Sequence, residues 1–309
     1  MSTSAPRSVA QYLDQLRREM AGDDPALLQD ALYDAEEYLR AEVAQNQDRS
    51  EAEVLEAIAV TYGAPAEVAA AYRTTEAQVS AALATPPPRV RSSALGRFFG
   101  IYRDTRSYAA LLYMLLSLVT GIFYFTFTVT GLSLSAGLAI LIIGLPLFLL
   151  FIGATRALSL AEGRLVESLL GVRMPRRPAH ASNRPGAEGW IGRITLMLKD
   201  PRTWGTLLYL LLMLPLGIVY FTLAVTGLTT AVSVVAAPFA EIAWQAGWLD
   251  SGFSPSFPGD QLPLLIALPL LLAFGILLLT LLLHLAAALG RLHGRLAKSL
   301  LVARAHPAD

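Results

Sequence analysis

Cysteine is absent from the 309 residues. That excludes disulfide frameworks, thiolate metal sites, haem-attachment motifs and cysteine nucleophiles. Charge is scarce, at 16% Asp, Glu, Lys and Arg, where a soluble domain carries roughly 25%. Lysine is nearly missing: only Lys199 and Lys298 stand against 22 arginines. Neither lysine follows a glycine, so no phosphate-binding P-loop exists, and neither HExxH nor G-x-S-x-G occurs. Clustered carboxylates are lacking as well. The expectation is a non-enzymatic chain without cofactor or metal. Present instead are 54% hydrophobic residues and a mean hydropathy of +0.51, the composition of a membrane protein with a soluble part.

The zero net charge is a cancellation. Residues 1–80 hold 15 acidic and 6 basic residues, and residues 81–309 hold 9 acidic and 18 basic, giving −9 and +9. Residues 1–80 contain no long apolar run and no basic leader, so they read as a cytoplasmic helical domain. Val9, Tyr12, Leu13, Leu16 and Met20 form one apolar face at spacings of three and four. Gly22 ends that helix, and Asp24-Pro25 caps and opens the next, which runs to about Gln45. Ser50-Glu51-Ala52-Glu53 is a capping box. Gly63-Ala64-Pro65 breaks the third helix and starts a fourth. The acids are either a solvated face or a docking surface for a basic partner. Their sign disfavours nucleic acid.

Tyr12-Leu13-Asp14-Gln15-Leu16, Ala35-Glu36-Glu37-Tyr38-Leu39, Ser50–Glu53 and Tyr62–Ala69 together resemble the HAAS-type helical domain of bacterial membrane signalling proteins, over about residues 8–73. The resemblance implies a cytoplasmic module joined to membrane spans, with a PadR-type regulator as partner.

Residues 81–106 read as a Pro/Arg linker followed by an interfacial helix. Residues 107–155 then carry no charge. At 49 residues this run is long enough for two crossings of about 20 each, with a turn expected near Thr130-Gly131. A shift of 96 lays 104–132 over 200–228 with 17 of 29 pairs identical, among them Asp104/Asp200, Tyr113/Tyr209, Gly121/Gly217 and Tyr124/Tyr220. Leu145-Pro146-Leu147 repeats as Leu268-Pro269-Leu270, and Arg164–Leu170 aligns with Arg295–Leu301 at a shift of 131. Duplication follows. The expected fold is an all-α membrane protein: a small N-terminal bundle plus four transmembrane helices in two parallel hairpins. The hairpins are assigned to 107–172 and 200–304, joined by a cytoplasmic loop at 173–199, with an outer insertion at about 229–261 and a tail at 305–309. Segment 229–248 is expected as an interfacial or re-entrant helix with Trp244 and Trp248 near the headgroups. Arginine is concentrated in 89–106, 156–202 and the tail, and absent from 227–262, so both termini should be cytoplasmic at a bacterial inner membrane.

The duplicated region, about 104–304, resembles the bacterial "putative sensor" membrane domain, carried by Asp200-Pro-Arg-Thr-Trp204, Pro215-Leu-Gly217, Tyr220-Phe221 and Thr226-Gly227-Leu228. No histidine-kinase transmitter follows, so kinase activity is not implied, and the partner is a separate regulator (PadR-type or a histidine kinase), with membrane lipids around the spans. Candidate functional residues are the intramembrane Glu241 and His284 and the repeated Tyr113, Tyr124, Tyr209 and Tyr220. The tyrosines either line a pocket or serve as interhelical bonds and interface anchors. His293, between Arg291 and Arg295, reads as a solvated juxtamembrane residue. The acidic head could rest on the basic elbows at 89–106 and 156–202, with Arg97, Arg103, Arg106 and Arg202 as candidate inner-face charges there. Gly96-x-x-x-Gly100 and Gly290-x-x-x-Gly294 have the spacing of a homo-oligomer contact. A transporter accessory or permease subunit is the alternative function.

Overall fold

A computed structural model describes residues 5–83, 94–138, 144–177, 190–248 and 263–302. Every regular element among them is helical. The acidic head comprises α1 (Val9–Glu19), α2 (Pro25–Gln45), α3 (Glu51–Thr61) and α4 (Pro65–Leu83). Its boundaries are set by local chemistry. Ser8 caps α1, Asp24 caps α2 ahead of Pro25, and the Ser50/Glu53 box opens α3 with both reciprocal bonds made. Gly22 and Gly63 turn the chain at φ +97° and +103°, where a side chain would be strained. Tyr12, Leu16, Met20, Leu39, Leu55 and Val68 fill the head's core.

A short helix, α5 (Ala94–Phe99), and a 3₁₀ turn at Gly100–Arg103 lead to the apolar part: α6 (Thr105–Gly137), α7 (Gly144–Leu170), α8 (Trp190–Lys199), α9 (Pro201–Gln245) and α10 (Leu264–Leu301). Five segments are long and apolar enough to cross a membrane: 51–79 and stretches of α6, α7, α9 and α10. The first differs from the rest. It is two helices, α3 and α4, separated at Tyr62–Ala64 and packed into the head's core. The other four expose Val119, Ile122, Phe123, Ile218 and Leu281 outward, as lipid-facing surfaces do.

Two sequence expectations fail here. The chain does not turn at Thr130-Gly131: α6 continues to Gly137, because nothing in Thr130–Ala136 breaks a helix once Gly131 is packed against the Phe151 ring. Segment 229–245 is neither separate nor re-entrant, since α9 runs unbroken for 45 residues through Pro215 and Pro238. At 1.5 Å per residue α9 is about 67 Å long, roughly twice a hydrocarbon core of ~30 Å. The loop at 250–262, the central loop at 178–189 and the tail from 303 lie outside the described residues.

α6 and α9 make the principal helix contact, followed by α9 with α10 and α6 with α7. The α6–α9 crossing is backbone on backbone. A Cβ on Gly121 would stand 2.5 Å from the Met213 carbonyl oxygen, and one on Gly217 would collide with the Ser117 carbonyl oxygen. The contact is reciprocal, because Met213 follows Ser117 by the same 96 residues that separate Gly217 from Gly121. Small residues at such points let helices approach closely without a hydrophobic driving force. Gly290 and Gly294 are used inside the chain too, against Ala110, Leu170 and Val172. Within this structure, then, that face is taken.

Gly121→Val or Gly217→Val should each lower the thermal midpoint in detergent, at a cost of about 1–3 kcal/mol or more from overpacking. Gly153→Ala, where an added Cβ meets nothing within 4 Å, should leave it unchanged or raise it. Equal tolerance at all three positions would refute the crossing.

Candidate functional site

The half of the bundle nearer the head encloses one carboxylate. Glu162, on α7, is fully buried. Its Oε1 accepts from the hydroxyls of Tyr113 (2.7 Å, α6) and Tyr209 (2.9 Å, α9), and its Oε2 accepts from Tyr124 (2.9 Å, α6). His293, on α10 and 1% exposed, sets Nε2 2.6 Å from the Tyr113 hydroxyl and 3.0 Å from that of Tyr209. The Tyr220 ring stands edge-on to the imidazole at 5.5 Å and 82°. All four long helices therefore meet at one polar cluster.

Local structure explains how. Tyr113, Tyr209 and Glu162 each lie eight residues from the inner end of their helix, about 12 Å along it. Tyr124 sits three turns further out, but helical side chains lean toward the N-terminus. Its ring therefore reaches back to the same carboxylate. Each phenol has one proton to give, and the tautomer of His293 decides whether Nε2 donates to the phenol oxygens or accepts from them. Nδ1 of His293 is buried without a hydrogen-bond partner among the described residues. The result is a continuous chain of hydrogen bonds, His293 to tyrosine to Glu162. No group of three or more His, Cys, Asp or Glu suited to a metal occurs among the described residues.

At the inner ends of α7 and α10 the acidic head is docked. The irregular segment Gly171–Arg177 follows α7. Asp30 Oδ1 accepts from the backbone N–H of Arg176 (2.9 Å) and of Arg177 (3.0 Å), while its Oδ2 pairs with Arg173 (3.3 Å). Arg173 also pairs with Glu76, and Arg177 with Asp34 at 2.9 Å. Lys298 of α10 reaches Asp24 at 2.5 Å. Burial raises the Asp30 carboxyl above its usual range. The backbone N–H groups of Arg177 and Arg176, and the Arg173 charge, pull it the other way.

The four repeated tyrosines gather at the cluster as three hydroxyl donors and one ring. Glu241 and His284 do not join it. Glu241 is buried near the outer end of α9, where the Gln245 amide donates to it at 2.9 Å, so it is not a solvated interfacial acid. His284 lies 3.0 Å from the Phe98 carbonyl of α5 and stacks on that ring. His293 is the opposite of a solvated residue, because the surrounding helices close over it. Of the expected basic elbows, the head rests on Arg173 and Arg177 of the stretch 156–202, and not on the four arginines named for that role. Arg106 packs beside Gly171, Arg103 is exposed, Arg202 is half-buried next to its capping Asp200, and the Arg97 side chain lies outside the described residues. The docking cations are Arg173, Arg177 and Lys298. Glu162 was legible in the repeat: extending the 131-residue offset two positions before Arg164/Arg295 pairs it with His293.

Glu162→Ala removes the shared acceptor of three phenols and should cost about 3 kcal/mol or more, at about 1–3 kcal/mol for each buried hydroxyl left unpaired. Tyr124→Phe deletes one donor and should cost about 1–3 kcal/mol. Thermal unfolding of both in one detergent checks the order.

No curated protein and no solved structure matches the chain. A family profile described as "Putative sensor" matches residues 113–301, which takes in every side chain of the cluster. That span is more than half of the 309 residues, and the chain belongs to the putative sensor family.

Proposed function

We propose that this is a non-enzymatic sensor of the bacterial inner membrane that passes an envelope or lipid condition to a cytoplasmic regulator through its acidic head. In this reading α6, α7, α9 and α10 are the four spans, arranged as two parallel hairpins. The head, central loop and tail face the cytoplasm, as the arginine distribution favours. One observation carries it: α10 bears both a cluster residue and a docking residue, and the segment that follows α7 and its Glu162 bears the docking arginines. Glu162 precedes Arg173 by 11 residues, and His293 precedes Lys298 by five. A change in the hydrogen-bond chain that moves α7 or α10 therefore moves the residues that hold the head. Ligands shift such equilibria only through differential contacts with the two states, and the cluster supplies bonds that all four helices must share. The regulator would be PadR-type or a histidine kinase, by the HAAS-type resemblance of the head.

A second reading, an accessory or permease subunit of a transporter, draws on the same pair. Glu162 and His293 are ionisable groups inside the membrane, where such residues mark ion pathways. It predicts an ATPase partner on co-purification, where the sensor reading predicts a regulator or kinase.

Because the chain lacks cysteine, introduced thiols report unambiguously. Spin labels at exposed Val60→Cys and Ser168→Cys should give one narrow distance distribution in wild-type background. Glu162→Gln should broaden it or lengthen it. An unchanged distribution in a folded Glu162→Gln protein would uncouple cluster from head. For orientation, a thiol at Ser299→Cys should be protected from impermeant reagent in intact cells and one at Trp248→Cys should react. The reverse pattern would overturn the topology.

A further inference from the structure

The head does not meet its own membrane domain as one charged surface meets another. It reads a short stretch of chain. Asp30 takes two successive backbone N–H groups, of Arg176 and Arg177, on one oxygen. The Gln29 side-chain amide donates to the Arg177 carbonyl at 2.8 Å. Those three bonds recognise backbone and do not depend on side-chain identity. Two arginines are recognised as well. Arg173 lies between Asp30 and Glu76, and Arg177 pairs with Asp34 while its guanidinium sits 5.7 Å above the Tyr33 ring. The arginine between them is treated differently: Arg176 turns away to Glu167 of α7 at 3.3 Å. Pro175 precedes Arg176 and disfavours helix at Met174, which keeps the stretch irregular and its N–H groups free for the head.

We infer that one face of α2, completed by Glu76 of α4, is a binding site for an irregular protein segment carrying two arginines four residues apart, now occupied in cis by Arg173–Arg177. The partner is a protein with such a segment exposed, and it competes with the chain's own. Charge complementarity selects it, since the site presents Asp30, Asp34 and Glu76. The backbone bonds explain why a folded basic patch would not substitute. This deepens the proposed function by naming what the head takes up when it leaves the membrane domain. It rests on that reading only for the head's role as output.

The test uses the full chain in lipid nanodiscs and a fluorescent peptide of sequence Gly-Val-Arg-Met-Pro-Arg-Arg, which copies Gly171–Arg177. Peptide anisotropy should show binding to the Arg173→Ala/Arg177→Ala chain at least tenfold tighter than to wild type, whose site is filled. Adding Asp30→Ala, or replacing the peptide's first and last arginines by alanine, should abolish it. A peptide that binds both chains equally, or binds without Asp30, overturns the inference. A second measurement guards against a misfolded double variant: excess peptide added to the wild-type chain should lengthen the Val60–Ser168 spin-label distance, and the alanine peptide should not. No displacement at saturating peptide counts against the site. Peptide binding with a head that ignores Glu162→Gln would leave this site standing and sink the sensor reading.

Discussion

A carboxyl group buried away from water must be given hydrogen-bond partners. Glu162 has three phenols, from two helices other than its own, and a fourth helix sets an imidazole against two of the same phenols. Lipid gives no hydrophobic reason for helices to associate. In this bundle the shared acceptor does what a water-driven core does elsewhere. The aromatic rings that carry the hydroxyls also fill the volume around it, so polar satisfaction and packing are one event here.

The close α6–α9 crossing makes that possible. With glycine on both helices the backbones touch, and the paired tyrosines below the crossing converge on one oxygen. A wider crossing would separate Tyr113 from Tyr209 by more than one carboxylate oxygen could bridge. Duplication supplies the tyrosine pairs in matched positions. Divergence at one matched position, Glu162 against His293, sets a carboxyl group on one side of the paired phenols and an imidazole on the other.

Much of the fold could be read before the structure, and the reasons differ by element. The head's helices were legible because caps, positive-φ glycines and prolines are local signals. The tyrosines and the Gly121/Gly217 pair stood out because they repeat, but that the two glycines cross each other was visible only in the structure. Glu162 and His293 were not singled out, because they differ from each other, and identity is what a repeat search rewards. The turn near Thr130-Gly131 failed because the glycine there accommodates the Phe151 ring and does not end the helix. Segment 229–245 failed because Glu241 looked costly in an apolar helix, whereas the Gln245 amide one turn on partners it. The docking arginines fell within the expected basic stretch 156–202, but which of them the head uses depends on backbone geometry after Gly171, and composition says nothing of that.

The glycine contact also acts as a fulcrum. From Gly217 the outer arm of α9 extends 28 residues to Gln245 and the inner arm 16 to Pro201, about 42 Å against 24 Å. Were α9 to tilt as one body about that contact, a sideways push at the far end would arrive at the near end shortened and strengthened by that ratio, and reversed in sense. In the proposed topology, thickness or tension changes in the outer leaflet would then be geared down into small, forceful shifts at the base of the bundle, where the head is attached.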